Sequence, residues 1–430
     1  MPQTKSKLHA RDARPAHTEN ARPAQAGRHF FFGPGPTNIP DSVLAALHHT
    51  TMDFTSSEFA VIHNRVHSGI KRMLRTEQQL LLYSGNGHAA WEAALVNCFS
   101  PGETVLVLDC GHFASHWADM AFDLGLNVER LHADWRTGVP VAAVEARLKA
   151  DTKGEIKGLM VVHNETATGV VHPLAEMRRA LDKSGHKALL LADAISSFGS
   201  IDVPMDAWGL DVVVAGSQKG LMMLTGMSLT GISEKAVARS KTVTTPRGYW
   251  NWQQMMGAQP QRFPGTTPVH LFFGLDESVR LLEAEGFAAV LARHRRFGAA
   301  TRAAVAAWGG RKTSAATVSA AGVAGHIDAI EIMCTDRTRL SDSVTTILLP
   351  DGHDANKLRS IAHDRYNLAL GSGLGPLNGR AFRIGHLGDL NEPMLLGAIA
   401  TTEMALADAG IPHQPAGVQA AIASLRESAA

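Results

Sequence analysis

From about residue 78 to residue 230 the chain alternates short apolar runs with stretches of helical spacing. The apolar runs read as strands: Leu80–Tyr83, Thr104–Leu108, Asn127–Leu131, Gly158–His163, Ala188–Asp193, Val212–Ala215 and Ser228–Ile232. Between the first two, Trp91, Ala94, Leu95, Cys98 and Phe99 recur at the three- and four-residue spacing of one buried helix face. Strands and helices in alternation imply a mostly parallel sheet covered on both sides. Ligands of such sheets bind beyond the carboxyl ends of the strands.

After Pro268 the pattern changes. Helices are expected over 275–285, stopped by Gly286, and over 287–308, stopped by Gly309. Farther on, strands such as Val344–Leu349 and Ala381–Ile384 mix with helices near 354–364 and 393–409. The expected class is therefore α/β. A tail over 1–28 precedes a large α/β domain over 29–285, whose first residues reach a small C-terminal α+β domain over 286–420.

Composition narrows the class. A chain of 430 residues is long for a single core. Its net charge of +1 supplies no field for nucleic acid or acidic membrane. No uninterrupted apolar run has membrane-spanning length. Cys98, Cys110 and Cys334 lack paired or metal-like spacing, as expected of a cytoplasmic, reducing setting. Residues 1–28 carry Lys5, Lys7, Arg11, Arg14, Arg22 and Arg28 but almost no large apolar side chain. Such a segment cannot offset its chain entropy by burial and reads as a disordered tail. Asp12, Glu19, Pro15 and Pro23, with no amphipathic face, argue against a transit peptide.

The candidate chemistry gathers where strands end. Lys219, in Gly216-Ser217-Gln218-Lys219-Gly220, follows the run Val212–Val214. Desolvation at that place would favour the neutral amine that attacks an aldehyde, although a surface lysine fits the same spacing. Asp193 ends another apolar run, where a carboxylate is costly unless partnered by a ring nitrogen or a helix N-terminus. An imine-forming lysine and an acid that holds a pyridinium proton are the two side chains pyridoxal phosphate chemistry requires. The loop Ser84–Glu92 fits an anion cradle or a tight turn equally well. His163–Val170 offers polar groups to a ligand's ring oxygen, or is an ordinary loop. Arg383, inside an alternating strand, offers a fork to a carboxylate or an ion pair between lobes.

Taken in order, Gly33-Pro34-Gly35-Pro36-Thr37-Asn38-Ile39-Pro40, Ser84–Glu92, His163–Val170, Gly216–Lys219 and Arg383–Gly388 resemble the class V aminotransferases, above all those acting on serine or alanine with glyoxylate. The resemblance runs over about residues 30 to 415. It implies the fold-type I architecture of pyridoxal 5′-phosphate enzymes and a homodimer whose active sites draw on both subunits. By that resemblance Lys219 would form the Schiff base and shuttle the proton, and Asp193 would pair with the pyridine nitrogen. Phe113 would stack on the ring and Thr166 would bond its hydroxyl. Gly87, His88 and Gln218 would hold the phosphate, with Thr266 from the partner subunit. Arg383 would clamp the substrate carboxylate beside the Gly35-Pro36 backbone. The implied reaction is ping-pong transfer from serine or alanine, with aspartate next, to glyoxylate or pyruvate.

The chain also departs from its relatives. It reads Asp53-Phe54-Thr55-Ser56 where they often carry a histidine or tyrosine followed by arginine and serine, and Phe263 stands where a tyrosine can touch the phosphate. Arg247 fits either a site for an acidic donor or a solvated loop. Rival readings are a cysteine desulfurase or lyase of the same fold, for which Cys110 is the thiol to test, and a non-catalytic binding protein. A dinucleotide enzyme is disfavoured because Ser84–Glu92 lacks the full fingerprint.

Overall fold

The computed structural model describes residues 27–257, 263–310 and 325–427. The expected tail lies outside them except for Gly27 and Arg28. Fourteen strands are present among the described residues: β1 (Phe30–Phe32), β2 (Gln79–Gly85), β3 (Thr104–Asp109), β4 (Asn127–His132), β5 (Ile156–Val162), β6 (Asn164–Glu165), β7 (Val170–Val171), β8 (Leu189–Asp193), β9 (Val212–Gly216), β10 (Gly226–Ile232), β11 (Glu331–Ile332), β12 (Val344–Leu348), β13 (Leu368–Ser372) and β14 (Ala381–Gly385).

The seven expected strands form one sheet, in the order β2-β10-β9-β8-β5-β3-β4. Pairing is parallel from β9 to β4, while β10 runs antiparallel to both β9 and β2. Because side chains alternate along a strand, each run feeds two cores. Leu80, Leu82, Leu106, Leu108, Leu159, Val161, Leu190 and Val213 enter one apolar cluster. Leu81, Tyr83, Val105, Val107, Met160, Val162, Leu191 and Val214 enter the other. Burial on both faces explains why these strands read as continuous apolar runs.

The second sheet has the order β1-β13-β14-β12-β11. Its N-terminal strand β1 pairs in parallel with β13, so the start of the chain is built into the C-terminal layer. Helices Phe287–Gly309, Ala355–Tyr366, Glu392–Asp408 and Gly417–Glu427 cover this sheet around a third core that holds Phe32, Phe297, Ile347, Phe382 and Ile384. Helix Val269–Glu285 begins six residues before the expected start and ends, as expected, at Gly286. No described helix is long and apolar enough to cross a membrane.

Candidate active site

Five parallel strands of the large sheet end at one edge, and the segment after each supplies a candidate residue. Gly87 and His88 follow β2, Phe113 follows β3, Thr166 follows β5, Asp193 ends β8, and Gln218 and Lys219 follow β9. These residues, with Gly35 and Pro36 from the loop after β1, line one cavity of about 230 Å³. Asn86, Trp91, Asn164, Ile195, Ser196 and Thr225 complete its wall. Lys219 donates through Nζ to the Pro34 carbonyl. Gly35 lies so close to this amine that a Cβ there would overlap it.

Asp193 is 4% exposed. Its Oδ1 accepts from the Ile195 amide at 2.7 Å and its Oδ2 from the Trp91 indole at 3.0 Å. Burial outweighs both bonds and pushes its pKa up to about 7. Burial also lowers the Lys219 amine to about 7, aided by the Arg383 charge and opposed by Asp193. Both groups are thus held near the point where a proton can be gained or lost at neutral pH.

Arg383 is buried behind Thr166 and does not line the cavity, yet its charge reaches Lys219. Its Nε donates to the Ser372 carbonyl at 2.7 Å and its Nη1 to the Thr166 carbonyl at 3.0 Å. Burial lowers its pKa to about 10, with Glu165 opposing, so it stays cationic at neutral pH. Thr166 donates its hydroxyl to Ser196 Oγ at 2.6 Å, which leaves its oxygen free to accept from a ligand. Thr266 is exposed and lies outside the cavity of its own chain.

Three features of the site were not legible in the sequence. The glycine loop was expected to present free N–H groups, but Asn86 Oδ1 accepts from the His88 and Ala89 amides at 3.1 and 3.4 Å. Glu165, fully buried, accepts from Phe113 and Ala114 at 3.1 Å and from Ala167 at 3.0 Å, so it caps the helix His112–Asp123 that carries Phe113. Charge-assisted bonds contribute about 1.5–3 kcal/mol each, comparable with the several kcal/mol that burying a carboxylate costs. Even so, burial raises Glu165 to about 7. The third is Trp91, read from its spacing as ordinary core, which reaches the cavity wall and binds Asp193. A buried indole N–H usually finds a partner, and that rule is the signal that would have found it.

Arg247 is accounted for by a preceding helix terminus. It donates to the Ser240 and Val243 carbonyls at the end of helix Glu234–Ser240, away from the cavity. Phe263 is buried against Phe272. Asp53 accepts from the Thr55 amide and hydroxyl, and Ser56 caps the next helix. The three cysteines are buried, none lines the cavity, and burial raises every thiol pKa. A thiolate nucleophile of the desulfurase kind is therefore not provided here.

The site fits a ring with a basic nitrogen, an aldehyde and a phosphate. A buried acid and a desolvated amine face one cavity, and the first turn of helix Gly87–Cys98 lines it together with Gln218, an end of a helix that suits an anion. The aminotransferase class-V model matches residues 29–357. The chain is 41% identical over 404 residues to an L-aspartate–glyoxylate aminotransferase of Paracoccus denitrificans, covering 93% of this chain and 97% of the relative. It is 41% identical over 410 residues to a serine–glyoxylate aminotransferase of Methylorubrum extorquens, covering 94% and 97%. A pyridoxamine–pyruvate aminotransferase structure from Mesorhizobium loti superposes with a TM-score of 0.82 at 26% identity, covering 95% and 100%. Strand-end chemistry, fold-type I architecture and these likenesses agree that the chain belongs to the class V aminotransferases, enzymes that work with pyridoxal phosphate.

Proposed function

We propose that the chain transfers the amino group of a small L-amino acid (serine or alanine, then aspartate) to glyoxylate, giving glycine and a 2-oxo acid, in two alternating half-reactions. The observation that carries this reading is that Lys219 and Asp193 face one cavity of about 230 Å³, with the Arg383 cation buried close enough for its charge to act on Lys219. The names of the relatives at 41% identity favour glyoxylate as acceptor and divide between aspartate and serine as donor.

When bound, pyridoxal phosphate supplies an aldehyde that condenses with amines and a ring that accepts the electron pair freed at Cα. Lys219, its amine pKa lowered to about 7 by burial, takes up a proton at Nζ and returns it without leaving the cavity. Asp193, ionised beside a cationic nitrogen, holds that nitrogen's proton. Arg383 fixes the substrate carboxylate with the donor hydrogens not committed to Ser372 and Thr166. Phe113 packs the ring, Thr166 accepts from its hydroxyl, and Gly87, His88 and Gln218 meet the phosphate with Thr266 of a second copy. The same reading makes the protein a cytoplasmic homodimer.

Spectroscopy tests it. The purified protein should be yellow, and the right donor should bleach the band and yield glycine once glyoxylate is added. Failure of serine, alanine and aspartate alike to bleach it refutes the reading. Lys219→Ala should abolish the band of lysine-bound cofactor and lower turnover by at least about a thousandfold, the scale of losing a covalent and acid–base group. A surviving band would remove Lys219 from its role.

A further inference from the structure

Trp91 is 1% exposed, sits one turn into helix Gly87–Cys98, and still forms part of the cavity wall. Its indole N–H donates to Asp193 Oδ2 at 3.0 Å, while Oδ1 is held by the Ile195 amide. With both oxygens bonded, the carboxylate plane cannot turn freely. The indole also stacks on Trp117 (5.7 Å between centroids, 17° between planes), meets Phe113 edge-on (6.4 Å, 68°), and touches the His88 ring at 4.6 Å. One side chain therefore contacts Asp193, Phe113 and His88, which the proposed function places at the ring nitrogen, the ring face and the phosphate.

We propose that Trp91 is a positioning residue for the cofactor, orienting Asp193 through its indole N–H and setting Phe113 and His88 through its ring. The inference rests on the proposed function. A hydrogen bond given to a carboxylate favours its charged form, so Trp91 also helps keep Asp193 ionised. The charged groups facing Asp193 are Lys219, which favours ionisation, and Glu165, which opposes it. Trp117 is an internal control. It is equally buried and packs on the same indole, but its Nε1 has no hydrogen-bond partner among the described residues.

Trp91→Phe keeps an aromatic ring and removes the N–H. Losing a bond to a charged group should weaken pyridoxal phosphate binding by the apoprotein, and lower kcat, by roughly tenfold each. The donor KM should change less than about twofold, because Arg383 is untouched. The acid limb of the pH profile should move to higher pH, since Asp193 loses a donor that stabilises its ionised form. Trp117→Phe should leave cofactor affinity and pH profile in place. In an Asp193→Asn background, Trp91→Phe should add little, because the two residues act as one unit.

The idea is overturned if Trp91→Phe binds cofactor as the parent does, if Trp117→Phe reproduces its effects, or if its defect is undiminished in Asp193→Asn. NMR of the parent tests it without altering Trp91. The Trp91 indole proton should follow the titration of Asp193, and an indole resonance indifferent to Asp193→Asn would also sink the proposal. Cofactor binding is scored separately from turnover. A parent that binds cofactor and bleaches with a donor but makes no glycine would refute glyoxylate as acceptor, not Trp91.

Discussion

At the scale of single residues, burial is the dominant force in the site. Asp193 keeps two hydrogen bonds and still rises to about 7, so desolvation exceeds what the bonds return. In the unfolded chain the same acid titrates near 3.8. A folded pKa raised in this way stabilises the protein below pH 4, and that stabilisation is lost as pH rises through 7. Asp193→Asn removes the titration. Relative to the parent, the apo variant should gain about 2–3 kcal/mol of stability between pH 5 and pH 8, from roughly two pKa units of linkage. Denaturant melts at the two pH values read this difference, and a pH-independent offset would show that Asp193 ionises freely. The sequence disclosed Asp193 and Lys219 because one ends an apolar strand and the other follows one within three residues. It did not disclose Trp91, whose indole partner lies 102 residues away.

At the scale of elements, two helix N-termini at the cavity are closed by side chains of the chain itself. Asn86 closes the helix after β2, and Glu165 closes the helix after β3 from the neighbouring loop. The second closure explains Gly111, whose φ of −179° any residue could adopt. A Cβ at Gly111 would overlap the Glu165 side chain. Gly111→Ala should therefore cost about 1–3 kcal/mol by overpacking and weaken cofactor binding by tilting Phe113. Urea unfolding and cofactor titration measure both, and unchanged values would show that Glu165 has room to move. The strands themselves were legible to within a few residues, because burial on both faces writes each one as an apolar run. The caps were not, since a carboxylate from another loop leaves no local mark.

At the scale of the whole molecule, the seven- and five-stranded sheets are joined through the segment after β5, which holds the small β6-β7 pair. Arg383 on β14 reaches the Thr166 carbonyl, Thr346 on β12 donates to the Ala167 carbonyl at 3.1 Å, and Asn164 donates to Ser343 Oγ at 2.6 Å. The residue proposed to bind substrate carboxylate is thus tied to the segment proposed to bind the cofactor hydroxyl. The exposed position of Thr266 motivates a prediction about assembly. If each site takes Thr266 from a second copy, mixing Lys219→Ala chains with Thr266→Ala chains should restore activity. Mixed dimers would then contain one site with both defects and one with neither. Activity no greater than the sum of the separate variants would show that the sites are not shared.

By itself the sequence determined the alternating strands and the placing of Lys219 and Asp193 at strand ends, the two residues proposed for the cofactor chemistry. Both are local patterns, because burial and strand ends mark neighbouring residues. Tertiary structure decided which groups meet: the indole on Asp193, the carboxylate over the Phe113 helix, and Arg247 turned back onto the end of helix Glu234–Ser240 rather than toward the cavity. Such meetings depend on how separate strands are ordered in the sheet, and packing, not spacing along the chain, sets that order.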